Sequence, residues 1–424
     1  MTPALTKPSA AVRDPDGRWS ALAILASAML LGMTTWFSAT AVVPQLRDSW
    51  SLSSSAAAWM TIAVQLGFVA GALLSAIFNI ADRVPPRRLM LYGASLAALA
   101  NILLLTNPGI PVAIGLRAVT GCGLAFVYPP AMKVMATWFK AKRGTALGIM
   151  VGALTLGSAT PHLVNGLGGL DWRIVLVTTS VLSLVGGLIA EFFGSDGPFT
   201  FPRASFNPSK AWKAFSDRPV LLASIGYCGH MWELYAMWAW FSVFYGDVLT
   251  GQAFNAPLTV AALVTFAVIG IGAVGCWVGG ILGDRWGRGH ATSLAMIVSG
   301  TCALLIGWLP GTLWPLILLI GLIWGFWVVA DSALFSTVIT ELGDQRYVGT
   351  ALTLQLAIGY ILTVPTLWLI PIVHTHFGWA AAFGVLAIGP VFGTIAMRKL
   401  AVIEQANADA SRHTNESGQG ARIK

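Results

Sequence analysis

The chain has 424 residues, 56% of them hydrophobic and only 10% charged, with a net charge of +8 and a mean hydropathy of +0.75. Soluble domains carry roughly 25% charged residues, so these values exclude a water-soluble globular protein and, with it, nucleic-acid binding as the source of the positive charge. Such a chain divides instead into membrane spans of about 20 apolar residues.

Residues 1–19 are polar, and no small-residue cleavage site follows the first apolar run. They read as a tail before a retained anchor. Length and lack of charge then give twelve spans, at 20–43, 57–80, 88–106, 111–133, 145–168, 173–194, 219–245, 257–283, 290–309, 314–338, 349–370 and 379–398. The polar stretch 195–218, with Pro198, Pro202 and Pro208 and the basic residues Arg203, Lys210, Lys213 and Arg218, reads as a linker. It separates six-helix bundles at 20–194 and 219–400. Residues 401–424 form a short polar tail expected to be disordered.

The distribution of positive charge orients the chain. With both termini in the cytoplasm, 22 of the 25 Lys and Arg residues fall on the cytoplasmic side, Arg47 and Arg173 lie outside, and Arg117 lies within a span. This asymmetry is what the positive-inside rule requires, and it implies a multi-pass protein of the cytoplasmic (inner) membrane.

Two motifs recur at a nearly constant offset. Gly280-Ile281-Leu282-Gly283-Asp284-Arg285-Trp286-Gly287-Arg288 lies between spans eight and nine, and a worn copy, Phe78 to Arg88, lies between spans two and three. Arg143-Gly144-Thr145-Ala146-Leu147 opens span five, and Val348-Gly349-Thr350-Ala351-Leu352 opens span eleven. Repeated halves of this kind build transporters whose binding site lies where the halves meet. The expected fold is therefore an all-α membrane protein of twelve transmembrane helices in two pseudo-symmetric six-helix bundles. Asp82, Arg83, Arg87 and Arg88 in one loop, and Asp284, Arg285 and Arg288 in the other, are candidates for a cytoplasmic gate. There a carboxylate pairs with a cation or a helix N-terminus in one state and releases it in another. A solvated turn is the simpler alternative.

Ionisable residues inside spans are costly and mark function. Five stand out: Arg117, His162, His230, Glu233 and Asp331. Arg117 suits a structural role bonding carbonyls of a neighbouring helix, or anion binding. His162 follows Pro161, so a local hydrogen bond is the alternative to a functional role. His230, Glu233, Met237 and Trp240 share one face of span seven, where a carboxylate and an imidazole can share a proton at a cavity. An interhelical hydrogen bond is the other use of Glu233. Asp331 suits proton carriage or pairing with a gate residue. Thr34, Trp36, Ser38, Gln65, Gln355 and Tyr360 are further candidates for a polar cavity lining. Cys122, Cys228, Cys276 and Cys302 all lie in apolar segments without metal spacing. No phosphate-binding Gly-rich loop is present, so neither a cofactor, a metal nor an enzymatic activity is expected.

The Asp-Arg loop motif, with Gly280, Asp284, Arg285, Gly287 and Arg288, resembles the loop signature of the major facilitator superfamily. In the first copy Phe78 and Pro85 replace its glycines. Arg117-Ala118-Val119-Thr120-Gly121-Cys122-Gly123 is similar to that family's fourth-helix signature, and Gly152 to Pro161 to its fifth. Some regions are similar to nitrate and cyanate porters, although the arginines that nitrate porters carry in spans two and eight are absent. The resemblance implies alternating access coupled to protons, with a part for Arg117 in the coupling, in a monomer whose partners are a small-molecule substrate and the lipid bilayer. A small organic or inorganic anion fits Arg117 and the two histidines. Export of cationic or amphipathic compounds fits Glu233, Asp331 and the tryptophans. A transporter-like sensor would need a signalling partner or domain, and the tail is short and polar.

Overall fold

The structure, a computed structural model, describes residues 14–140, 142–199, 213, 215–252, 254–344 and 348–420, with the backbone alone at 82, 407, 408 and 410–420. Most of the linker read at 195–218 therefore lies outside the described residues. The described chain is all-helical. The main helices are α1 (Arg18–Gly32), α2 (Ser54–Ile77), α3 (Pro86–Ile102), α4 (Ile110–Ala125, resuming at Tyr128–Ala136), α5 (Arg143–Leu167) and α6 (Trp172–Phe193). There follow α7 (Arg218–Thr250), α8 (Pro257–Gly270, resuming at Gly272–Trp286), α9 (Arg288–Ile306) and α10 (Trp314–Trp327, resuming at Ser332–Leu342). The helix Val348–Leu386 is broken at Gly378, where φ is 78°, giving α11 before the break and α12 after it; α12 continues as Ile388–Gly420.

Among the described residues, ten helical stretches are long and apolar enough to cross a membrane. One of them, Val348–Ala406, contains both α11 and α12. The 33-residue α7 is long enough but fails on composition, because His230, Glu233 and its Tyr and Trp side chains dilute its apolar character. Local chemistry sets several helix ends. Ser53 caps α2 by accepting from the Ala56 amide, Asp171 caps α6 by accepting from the Arg173 amide, and Pro86, Pro219, Pro257 and Pro315 stand in first turns where no amide is needed. The tail after α12, expected to be disordered, continues as helix to Gly420. Its Ala, Glu and Gln residues favour helix, and the Gly289 amide donates to Glu404 Oε2 at 3.0 Å, tying the tail to the start of α9.

Packing repeats six helices on. The pairs α2·α4, α3·α6, α1·α6 and α1·α5 in the first half have counterparts α8·α10, α9·α12, α7·α12 and α7·α11 in the second. Glycines set the closest pairs. A Cβ on Gly67 or Gly121 would strike the carbonyls of Ala118 or Val64 between α2 and α4, and one on Gly275 or Gly325 would strike those of Phe326 or Val268 between α8 and α10. Lipid tails offer no hydrophobic drive for helix association, so such close approach supplies the packing energy. The halves meet along two seams, α5 against α8 and α2 against α11.

Candidate functional site

The seam between α2 and α11 is open at one end of the molecule. There a cavity of about 270 Å³ is walled by α2, α4 and α5 on one side and by α10 and α11 on the other. It lies at the end that carries the two Asp-Arg loops. Ser75, Asn79, Ser336, Thr340 and Thr353 give it a polar lining, and Lys133 and Arg143 supply two cations. No described carboxylate lines it. Lys133 also donates to the Ala81 carbonyl at 3.3 Å.

Aromatic rings close the path above the cavity. Tyr128 lines it and lies 6.3 Å, ring to ring, from Phe68, which packs 4.5 Å from Tyr360. Trp36 touches Phe68, Tyr235 and Tyr360, and the Tyr235 and Tyr360 hydroxyls bond each other at 2.8 Å. At the far end the space between the halves shrinks to about 10 Å³, lined by Thr40, Thr61, Trp240 and Leu367 among others. None of the residues expected to line a cavity lines the 270 Å³ one. Trp36, Gln65 and Tyr360 are buried at or near the shut seam, Met237 is buried, Gln355 is buried one residue from the lining Leu356, and Trp240 borders the small far-end space while donating to the Leu367 carbonyl. Thr34 donates to the Thr179 carbonyl, and Ser38 bonds Asn101.

The four residues Val328–Asp331 interrupt α10, and this break meets α7. His230 Nδ1 lies 2.9 Å from Asp331 Oδ1, close but poorly aligned for a hydrogen bond, and its Nε2 lies 2.8 Å from the Ser332 hydroxyl. Both side chains of the pair are 2% exposed. With the proton on Nδ1, Nε2 accepts from Ser332. His230 is thus paired with Asp331 rather than with Glu233. Glu233 points to other helices: Oε1 accepts from Trp324 Nε1 at 2.7 Å and Oε2 from the Ser299 hydroxyl at 2.9 Å.

Arg117 is wholly buried, and every bond it makes goes to uncharged groups. It donates to the backbone carbonyls of Met60, Thr35 and Trp36, to Ser38 Oγ and to Asn101 Oδ1. His162 is also wholly buried, with neither ring nitrogen hydrogen-bonded.

At the loop end, Arg288 binds Asp284 at 2.6 Å and grips Glu341 with two bonds, at 3.0 and 3.3 Å. The Asp284 carboxylate reaches across the seam to the first turn of α5. Thr145 Oγ1 lies 3.5 Å from Oδ2, and a Cβ on Gly144 would sit 2.5 Å from Oδ1. A carboxylate there meets the positive end of the α5 dipole. The other loop is less fully defined. The Asp82 side chain lies outside the described residues, Arg88 pairs with Glu191 at 3.5 Å, and Arg83, Arg87 and Arg285 are exposed.

Sequence reasoning did not single out Trp324, Ser299, Ser332 or Glu341 as partners, nor Lys133 and Arg143 as cavity lining. Lys133 near a helix end reads equally well as a snorkelling side chain. Nothing in the local spacing marks Trp324 apart from the other tryptophans of its span.

Comparisons with known proteins agree with this architecture. A solved bacterial homologue of the human lysosomal transporter Spinster, described as inward-facing and unoccupied, superposes with a TM-score of 0.66 at 15% identity, covering 92% of this chain and 97% of that one. The multidrug efflux pump LfrA of Mycolicibacterium smegmatis is 29% identical over 36% of this chain, and monocarboxylate transporter 2 of Rattus norvegicus is 26% identical over 46% of it. The chain spans 31% and 40% of the length of these two curated relatives. Residues 24–365 match the sequence model of the Major Facilitator Superfamily, and the chain belongs to that family of multi-pass membrane transporters, which are not enzymes.

Proposed function

We propose that the chain is a proton-coupled transporter of a small anion, working as a monomer in the cytoplasmic membrane with both termini and the open cavity facing the cytoplasm. The observation that carries this reading is the cavity between the halves, whose described lining includes the two cations Lys133 and Arg143. The resemblance to monocarboxylate transporter 2 points the same way. On this reading residues 20–194 and 219–400 move as two bundles about the linker.

A bare anion crossing the aromatic layer would pay the cost of burying an unpaired charge. Moving a proton with it removes that cost. His230, Asp331 and Glu233 are the proton-handling residues in this account, with Arg117 and His162 in supporting places. The half-helix Ser332–Leu342 then couples proton to gate. Its first residue bonds His230, Ser336 and Thr340 on it line the cavity, and Glu341 near its end holds Arg288, which holds Asp284. A short rigid helix with a contact at each end is the kind of two-state element that links distant sites.

A thermal-shift panel tests the reading. An anion at 100 times its Kd raises stability by about 2.7 kcal/mol, and anions should stabilise more at low pH than at high pH. Stabilisation by lipophilic cations alone would refute it. That outcome would favour the second reading, export of cationic or amphipathic compounds, which the aromatic layer and the resemblance to LfrA support.

A further inference from the structure

The shut aromatic layer holds polar atoms with nothing to bond. Trp36 Nε1, Trp238 Nε1 and both amide atoms of Gln65 are fully buried and have no hydrogen-bond partner. A buried polar group left unpaired is destabilising. These groups lie along the same shut layer. Thr61, Gln65 and Phe68 follow one face of α2. Thr61 bonds Thr40 at 2.7 Å and Phe68 packs 5.0 Å from Trp36, so Gln65 lies between those two levels. Tyr235 joins the tryptophans, at 5.6 Å from the rings of both Trp36 and Trp238. The groups come from both halves, α2 and the turn after α1 on one side and α7 on the other, so opening the seam would expose them together.

Hydrogen-bond donors dominate this set. The two indole N–H groups only donate, and the Gln65 amide offers two more N–H bonds against one free carbonyl. A ligand that satisfies them must bring acceptors. Around them Phe68, Tyr235 and Tyr360 present flat apolar faces. The nearby Arg117 guanidinium is taken up by the Trp36 carbonyl and other neutral oxygens, so the donors hold the oxyanion, the co-transported proton offsets its charge, and the rings need an apolar body to cover them.

We propose that Gln65, Trp36 and Trp238 form an occluded binding site, above the 270 Å³ cavity, for an organic carboxylate with a flat apolar body. The site narrows the substrate class of the anion reading and rests on that reading. Small inorganic anions satisfy the donors but leave the rings facing water or void.

Equilibrium dialysis of the detergent-purified full chain tests the assignment, with radiolabelled benzoate as probe and unlabelled lactate, nitrate and sulfate as competitors. Benzoate should bind, lactate should compete more weakly, and nitrate and sulfate should compete at least 10-fold more weakly than unlabelled benzoate. Gln65→Leu, which keeps the side-chain bulk, and Trp36→Phe, which keeps an aromatic ring but removes the N–H, should each weaken benzoate at least 10-fold while circular dichroism stays unchanged. Should Gln65→Leu not fold, Trp238→Phe serves as the second variant and should weaken benzoate likewise. Benzoate affinity unchanged in the folded variants, or nitrate competing as well as benzoate, overturns the site while leaving an anion transporter in place. Failure of every anion to bind removes both this site and the anion reading.

Discussion

His230 Nδ1 stands 2.9 Å from Asp331 Oδ1 at the break in α10, and the next residue, Ser332, holds the other ring nitrogen. The imidazole sits between a carboxylate and a hydroxyl, and both side chains of the pair are almost fully buried, which is the placement the proposed proton carriage requires. The titratable and polar groups around the pair are Tyr227, stacked 6.0 Å from His230, Cys276, which donates to the Val329 carbonyl in the break, and Glu233 one turn along α7.

Asp331→Asn removes the carboxylate while keeping its shape. We expect accumulation against a gradient to be lost, with exchange of substrate across the membrane retained. Parallel uptake and counterflow assays separate the two. Loss of both, or of neither, speaks against proton carriage at this pair.

Glu233 is held by two donors from α9 and α10. Trp324→Phe deletes one of them, and a buried acceptor left unpaired costs about 1–3 kcal/mol. Thermal unfolding should fall accordingly, and Glu233→Gln, which can still accept from Trp324, should be milder. A Glu233→Gln variant that unfolds earlier than Trp324→Phe would contradict this ordering.

Gly144 and Asp284 meet across the α5–α8 seam with no room for a Cβ. Gly144→Ala should slow turnover with little change in substrate affinity. Asp284→Ala makes space, so the double variant should lose less than the sum of the singles. Coupling between touching residues is about 0.5–3 kcal/mol, and additive kinetics would show that the two do not meet during transport.

Arg117→Lys cannot reproduce bonds to three carbonyls and two side-chain oxygens. Each buried group left unpaired costs about 1–3 kcal/mol, so the variant should unfold at markedly lower temperature. The fraction that remains folded should bind substrate normally. Normal stability with weakened binding would instead make Arg117 a substrate ligand.

Much of the architecture is legible in the chain because it follows from period and composition. The offset between Asp82 and Asp284 marks the duplication, and the run of apolar segments marks the spans. The contact between the two motifs is not legible. Gly144 and Thr145 come from one half and Asp284 from the other, and nothing in either motif says that α5 and α8 share a seam. The same limit explains Glu233 and His230. Helical spacing puts them on one face of α7, yet their partners Trp324, Ser299 and Asp331 are chosen by how α9 and α10 pack. Breaks such as Val328–Asp331 carry no Pro or Gly to announce them.

The most direct test of the account is proton-driven anion movement in proteoliposomes, with protein-free liposomes correcting for passive weak-acid entry. With the outside acid, uptake of radiolabelled carboxylate should exceed that control, collapse with a protonophore, and vanish in Asp331→Asn while counterflow persists. Carboxylate uptake no faster than in protein-free liposomes, together with pH-driven movement of a lipophilic cation, would contradict it.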